Sequence, residues 1–349
     1  MSLNTILCNE ATPIVCGETM RDYLLDCTMR QTSRLWDAGA QRRSARADAF
    51  AVSCDTTQSY KFWKPTNYQT GGIPTCGVAQ VAGDVGCAPC NGLEQGKETL
   101  FKLYSRHCWS MADCEAQCMG CDEDSLLDII VGELATPYNV RDRVDAMFSE
   151  FTGLYNMAAA DAAIAPDMII DLGTACLDSC AGIDLNMLRG CGGFDAMYVH
   201  QDVYRNMRKN GCLQEKVCCG EGGFEFDALQ GGTAIIPVTR DYGDTFMVDP
   251  ADGCYISFAF NLGAFEYAEG CVSVPLEVDR DASANCGAGA QTVYMRSEFV
   301  IRPIGTTFNT SAIAADYANP LELSDGANWT IDIPVDEFAI AFVKSCCTA

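Results

Sequence analysis

The stretch "FDAMYVHQDVYRNMRKNG", residues 194–211, changes character in its middle. Phe194–His200 is apolar and aromatic and reads as a strand. From Gln201 the spacing becomes helical, and Gly211 closes the helix in the C′ position. A strand that hands over directly to a helix recurs in mixed folds, and the flanking sequence continues in that vein. "GGTAIIPVTRD" (231–241), "GCYISFAFNLGAFEYAEG" (253–270), "QTVYMRSEFVIRPIG" (291–305) and "DEFAIAFVKS" (336–345) read as strands. "DMIIDLGTACLDSC" (167–180) reads as a short helix. The class is α+β.

Upstream lies the clearest helical signal. Asp124 or Ser125 can cap "LLDIIVGEL" (126–134), and Pro137 interrupts or opens a second segment. Beyond it Val140, Val144, Met147, Phe148, Phe151, Leu154 and Tyr155 recur at three- and four-residue steps. Arg141, Arg143, Asp145 and Glu150 are expected on the other faces. The result is a long amphipathic helix able to act as a spine against a sheet. Residues 51–98 differ. "YKFWKPTNYQ" (60–69) is aromatic and β-prone, whereas "TGGIPTCGVAQVAGDVGCAPCNG" (70–92) is rich in Gly, Pro and Cys and poor in core formers. This reads as a long two-stranded excursion with a loop-like tip. An isolated hairpin is marginal in water, so it needs a surface such as a neighbouring subunit. Residues 17–50 look helical in part, with Leu24, Leu25, Met29 and Leu35 as apolar contacts and Arg42, Arg43 and Arg46 as a short basic cluster.

The 349 residues carry a formal charge of -24. Residues 1–50 are neutral, with six arginines against six acidic residues, so the deficit lies beyond residue 50. So acidic a chain repels phosphate backbones, which argues against general nucleic-acid binding. The start, "MSLNTILCNEATPIVC", lacks a basic segment followed by a long apolar one, so no secretory signal is expected. No apolar run is long enough for a membrane span.

Twenty-two cysteines stand out. Cytosolic chains of this size rarely carry so many. That leaves metal sites, or a protein made in a reducing cell that later works outside it. Cys114, Cys118 and Cys121 in "CEAQCMGC" have the C-x3-C-x2-C spacing of radical S-adenosylmethionine enzymes. Against that reading, Gly120 stands where an aromatic is usual, and no barrel-forming run of strands and helices follows. Zinc held with His107 and Cys108 is a second metal reading. The plain alternative is thiols destined for disulfides or burial. Cys218–Cys219 and Cys346–Cys347 are sequence neighbours, with Cα atoms about 3.8 Å apart, and should seek other partners or stay free. Cys176 and Cys180, four apart in an expected helix, lie too far from each other for an unstrained bridge. Long-range partners follow, within the fold or on another subunit. Cys346 and Cys347 have the greatest reach because they lie in a terminal tail. The candidate disulfide cysteines are Cys76, Cys87, Cys90, Cys114, Cys118, Cys121, Cys218, Cys219, Cys346 and Cys347. No G-x-S-x-G elbow, Walker loop or H-E-x-x-H occurs, and His200 at a strand end reads as structural.

The order of these pieces resembles the major capsid proteins of tailed bacteriophages, with the Hong Kong 97-type fold. In the opening stretch Met197, His200, Val203 and Tyr204 stand near the places of the family's "M-H-x-x-V-Y" pattern. "GGTAIIPVTRDYGD" is similar to its following strand, here with Thr239-Arg240-Asp241. "YISFAFNLGAFEYAEG" resembles a strand ending in Gly-Ala, here Gly263-Ala264. "EFVIRPIGTTFN" resembles another, with Arg302 where His is common. "ANPLELSDGANW" keeps Pro320, Leu323, Asn328 and Trp329 of a further segment. The match spans roughly 122–345, and the first 120 residues agree only in layout.

The resemblance implies a shell subunit and no enzyme, with an N-terminal arm (1–50), an extended β-hairpin loop (51–99), a peripheral domain with the spine helix (100–163 and 290–349) and an axial domain (164–289). Arm and loop would reach over neighbours. Copies would form hexamers and pentamers of an icosahedral shell enclosing double-stranded DNA without sequence-specific contacts. Scaffold, portal and decoration proteins are further partners, with no cofactor and no membrane. Assembly would take place in the bacterial host cytoplasm, and the product is the virion. An encapsulin-like compartment shell is the related alternative, and an iron–sulfur or zinc enzyme using Cys114, Cys118 and Cys121 is the alternative of another class. Some relatives cross-link through a Lys–Asn isopeptide bond. Lys61 and Lys64 lie in the loop, but they read as surface lysines beside aromatics, and no catalytic carboxylate or partner Asn is identifiable.

Overall fold

A computed structural model of the chain describes residues 34–53, 55, 57–65, 93–112, 136–173, 193–211, 213, 227–229, 233–272, 275–281, 283, 289–309, 320–333, 335 and 338–346. Its first elements are β1 (Gln41–Arg43), α1 (Ala45–Ala51), β2 (Thr57–Pro65), β3 (Leu93–Phe101), β4 (Leu103–Ala112) and the long α2 (Thr136–Ala160). Next come α3 (Ala165–Met168), β5 (Ile169–Asp171), β6 (Ala196–His200), α4 (Gln201–Lys209), β7 (Asp227–Ala228), β8 (Ala234–Val238) and α5 (Arg240–Phe246). The last are β9 (Tyr255–Phe260), β10 (Phe265–Glu269), β11 (Leu276–Asp281), β12 (Ala290–Pro303), β13 (Thr306–Phe308), α6 (Pro320–Ser324), a 3-10 turn at Gly326–Asn328, β14 (Trp329–Ile331) and β15 (Ile340–Ser345). No described helix is long and apolar enough to cross a membrane.

Two sheets dominate. In the first, β12 is the central rail. β4 runs antiparallel along one side, from Ala290 opposite Ala112 to Phe299 opposite Leu103. On the other side β11 takes the first half of β12 and β10 the second, and β1 adds to β10 in parallel. The second sheet has the order β5-β15-β9-β6-β8-β7. The opening stretch therefore sits at its centre. All five residues of β6 are buried, as expected for an inner strand covered on both faces. The strand pairing crosses the expected domain limits. β15, grouped by sequence with the spine helix, pairs with β9 and β5. β10 and β11, grouped with the axial part, pair with β12.

α2 is the spine that sequence periodicity predicts, with Pro137 as its second residue, where a missing N–H costs nothing. Val144, Met147, Phe148, Phe151 and Leu154 are fully buried. Phe151 packs against Phe258 and Phe260 of β9 and against Phe265 of β10, so one side chain touches both sheets. Farther along, α6 and the turn after it dock on α2 at two glycines. A Cβ on Gly153 would lie 2.1 Å from the Leu323 carbonyl oxygen, and one on Gly326 would lie 2.3 Å from the Met157 nitrogen. Trp329 fixes this contact by donating its indole N–H to the Leu323 carbonyl at 2.8 Å. The "PLELSDGANW" residues are thus a packing motif.

Three readings are corrected. Arg143 and Glu150, expected off the apolar face of α2, are buried like the apolar stripe itself. Arg143 is 5% exposed, donates to Tyr267 Oη at 2.9 Å and pairs with Glu269 at 2.5 Å. The acidic and phenolic partners on β10 compensate its burial, which the helical pattern alone does not reveal. The helix expected over 167–180 is broken at its start, since Ile169–Asp171 find ladder partners in Phe342–Lys344 and form β5; 174–180 lie outside the described residues. Finally, the part of the arm after residue 34 does not reach away. Leu35, Ala38, Ala40, Ala47 and Phe50 are all within this chain's own core, and Arg46 makes a two-pronged pair with buried Glu266 at 2.6 and 2.8 Å. The "LLDIIVGEL" helix and the hairpin tip (66–92) lie outside the described residues.

Glu150 is fully buried, and neither carboxylate oxygen has a hydrogen-bond partner among the described residues. Burial pushes its carboxyl well above the ordinary 4.5, with Arg302 opposing the shift. A raised folded value means the native state holds the proton longer than the unfolded chain, so this residue's contribution to stability declines as pH rises above about 4.5. Glu150→Gln removes that dependence. The stability of the variant relative to the parent should therefore grow from pH 4 to pH 8 in urea unfolding, and a flat difference would contradict the assignment.

Candidate functional site

No constellation of catalytic type appears among the described residues. His200 is fully buried, accepts the Asp202 N–H as the cap of α4, lies 3.0 Å from Asp244 and stacks on Tyr255. It holds the strand–helix junction. His107 lies 2.6 Å from Asp142 across the β4–α2 contact and packs beside Trp109 and Tyr138. Cys108, its neighbour, is free and exposed.

The feature that asks for a partner is the hairpin. β2 and β3 form a separate two-stranded sheet, from Thr57 opposite Phe101 to Pro65 opposite Leu93. Its base is anchored in the body. Tyr60 donates to the Arg46 carbonyl at 3.2 Å. Arg302 donates to the Thr99 carbonyl at 2.6 Å, and Phe101 packs on Phe308 at 5.0 Å between ring centres. The distal rungs belong to neither large sheet. Two strands alone rarely hold in water, so this projection suits a surface supplied by another chain. Lys61 on it is exposed.

The second feature is at the end of the chain. Cys254 and Cys346 are joined by a disulfide across 92 residues. Its origin is the ladder: β15 and β9 run antiparallel with Ser345 opposite Tyr255, so one rung further places Cys346 opposite Cys254. The Cα atoms are 4.3 Å apart, close to the spacing of about 4.5 Å for a non-hydrogen-bonded antiparallel pair. Beside the bridge Lys344 pairs with Asp249 at 2.8 Å and with Asp252 at 2.5 Å, and Tyr155 of α2 donates to Asp249 at 2.7 Å. Burial opposes the Lys344 charge, but the bonds to Asp249 and Asp252 outweigh it and hold the ammonium above its ordinary value. Asp252, Cys254 and Cys346 bring ligand-type atoms within 4.8 Å of one another. Their sulfurs are bonded to each other and Asp252 is paired with Lys344, so that set does not fit a metal.

Of the candidate cysteines only Cys346 lies among the described residues. Cys76, Cys87, Cys90, Cys114, Cys118, Cys121, Cys218, Cys219 and Cys347 lie outside them. Its partner Cys254 was not among the candidates. The signal that could have found it is strand register, since both residues flank apolar strands that pair from their ends. Cys271 is free and exposed.

No protein-family model matches the sequence. The chain is 21% identical over 330 residues to the major capsid protein of Bacillus phage SPP1, covering 90% of this chain and 91% of that one. Among solved structures, the capsid of Ralstonia phage GP4 is similar with a TM-score of 0.50 at 10% identity, over 89% of this chain and 88% of that chain. The Cyanophage Pam1 capsid asymmetric unit has a TM-score of 0.48 at 9% identity, over 87% and 88% of the two chains. With its hairpin, spine helix and two sheets in this order, the chain has the Hong Kong 97-type capsid fold.

Proposed function

We infer that this chain, a Hong Kong 97-type polypeptide, is the major capsid subunit that builds the icosahedral head shell of a tailed bacteriophage. The observation that carries the reading is similarity over nine-tenths of both chains to a phage major capsid protein, on a fold whose hairpin forms a two-stranded sheet of its own. Neither the encapsulin-like compartment nor the metal enzyme is favoured by that similarity. The subunit works by contact. Copies gather in hexamers and pentamers, and each β2–β3 hairpin lies on an adjacent copy, which supplies the burial that two strands lack alone. Closed symmetry converts many modest contacts into one stable shell. The net charge of -24 keeps the wall from holding packaged double-stranded DNA tightly, because like charges repel and few phosphate contacts form. Scaffold, portal and decoration proteins complete the head, which is assembled in the host cytoplasm and becomes part of the virion.

Thiols add to this after release into oxygen. Bonds among cysteines of the hairpin, the segment before α2, the 218–219 pair and the terminal tail stiffen the shell, some of them between copies. Purified full-length chain is expected to sediment as large particles that appear as closed shells in electron micrographs, and non-reducing gels of those particles are expected to show bands above the monomer. A small, monodisperse, coloured, iron-bearing protein would overturn the shell reading. Only monomer bands would remove the intersubunit bonds and leave the shell.

A further inference from the structure

The closed Cys254–Cys346 bridge leaves a metal no thiolate to hold. Opened, the same two sulfurs are a different donor set. The residues face each other across β9 and β15 with Cα atoms 4.3 Å apart. Asp252 stands two residues before Cys254, and its Oδ1 accepts the Cys254 N–H at 3.0 Å. Between them Gly253 has φ +73°, a left-handed turn that glycine takes without strain. The turn keeps the Asp252 carboxylate beside both sulfurs, with ligand-type atoms of all three residues within 4.8 Å of one another. Cys254 is buried, whereas the Asp252 side chain is 43% exposed, so the cluster has one wall in the core and one open to solvent.

Charge and reach both favour a thiophilic divalent ion there. Asp249, Asp252 and two thiolates would set four negative charges against the ammonium of Lys344, which pairs with both carboxylates. A divalent cation supplies the missing positive charge. Asp252 can turn to it while Lys344 stays on Asp249, which Tyr155 also holds. Tetrahedral zinc with bonds of about 2.3 Å needs sulfurs about 3.8 Å apart. Facing residues of an antiparallel pair have Cβ atoms about 4.5–5.5 Å apart, so rotation of the two side chains suffices.

We propose that the reduced chain holds a zinc ion between Cys254 Sγ, Cys346 Sγ and an Asp252 carboxylate oxygen, with solvent in the fourth position. A dithiol reductant opens the bridge: it gives two electrons and two protons, closes to a cyclic disulfide and leaves two thiols. Zinc then replaces the two thiol protons, which pass to solvent as two Zn–S bonds form. A disulfide oxidant reverses this. It takes two electrons from the sulfurs and two protons from solvent, becomes two thiols, and the ion leaves as the S–S bond closes. The end of β15 is thus tied to the start of β9 in either state, by the ion when reduced and by the bridge when oxidised. The proposal stands apart from the shell reading, because it can be read on the full chain whether or not particles form.

Thiol alkylation of the full-length protein tests it. The chain is reduced with a phosphine, treated with N-ethylmaleimide with and without buffered zinc ion, and read cysteine by cysteine by peptide mass spectrometry. Zinc should slow alkylation of Cys346 about tenfold or more, because a metal-bound thiolate is a poor nucleophile. Exposed Cys108 should react at the same rate in both. Asp252→Asn keeps both thiols and the turn and should lose most of the protection, while Asp252→Glu should keep part of it. Cys254→Ser, with one sulfur left, should leave Cys346 equally reactive with and without zinc. Unchanged hydrogen exchange over β6 and β12 certifies the fold, and where Asp252→Asn alters it, Cys254→Ser decides alone. The proposal is overturned if zinc leaves Cys346 unaffected in the parent, or slows Cys108 equally, which would be uptake by any thiol. Full protection in the folded Asp252→Asn variant or in Cys254→Ser also overturns it.

Discussion

Replacing Phe151 by alanine is expected to cost about 3–5 kcal/mol of folding stability, the range for removing a buried aromatic from a core that cannot collapse around the gap. The ring is fully buried. It stacks on Phe258 at 5.0 Å and meets Phe265 edge-on at 4.7 Å. Those two rings belong to different sheets, so the cavity would open where α2 joins them and neither sheet can move in without leaving the helix. Chemical denaturation of the variant against the parent measures the loss. Val52→Ala, at a site 68% exposed, should stay within about 0.5 kcal/mol. A Phe151→Ala cost below about 1 kcal/mol would mean that α2 is not the element that unites the sheets.

Removing the Cys254–Cys346 bridge is expected to cost about 2–4 kcal/mol under oxidising conditions, because the closed loop is long and its opening frees the unfolded chain. The bond joins the start of β9 to the end of β15 and so ties the last strand into the six-stranded sheet. Cys254→Ser and Cys346→Ser should each give the full loss, and the double variant should lose no more, since both changes delete one bond. In reductant the parent should fall to the level of the variants. Additive losses would show that each thiol acts separately. Because the bond lies within one chain, its loss should leave intersubunit bands on non-reducing gels unchanged.

Local patterns were legible in the sequence where one periodicity governed a whole element. α2 could be read from seven apolar side chains at helical steps, and its buried stripe matches them. The strand–helix junction at His200 and Gln201 was legible because the apolar, aromatic run stops there and Gly211 ends the helix. The hairpin could be read from an aromatic strand running into a core-poor tip. What escaped depends on partners distant in the chain. Arg143 and Glu150 look like surface charges on a helical wheel, and they are buried because β10 and β12 bring Glu269 and Arg302 near them. The sheet membership of β15 is set by β9 and β5, not by its own composition. Cys254 looks like an ordinary strand residue until the register places it opposite Cys346. A cavity of about 500 Å³ between α4 and the end of β8 combines Arg34 with residues of α4 more than 160 positions later, and no local window joins them.

The account rests on this polypeptide building a lattice of its own copies, and a density map of the assembled particle tests that most directly. It predicts a closed icosahedral shell in which each β2–β3 hairpin lies across an adjacent subunit and α2 spans the wall of its own. A purified chain that stays single under every assembly condition, with the hairpin folded back on its own sheets, would contradict it.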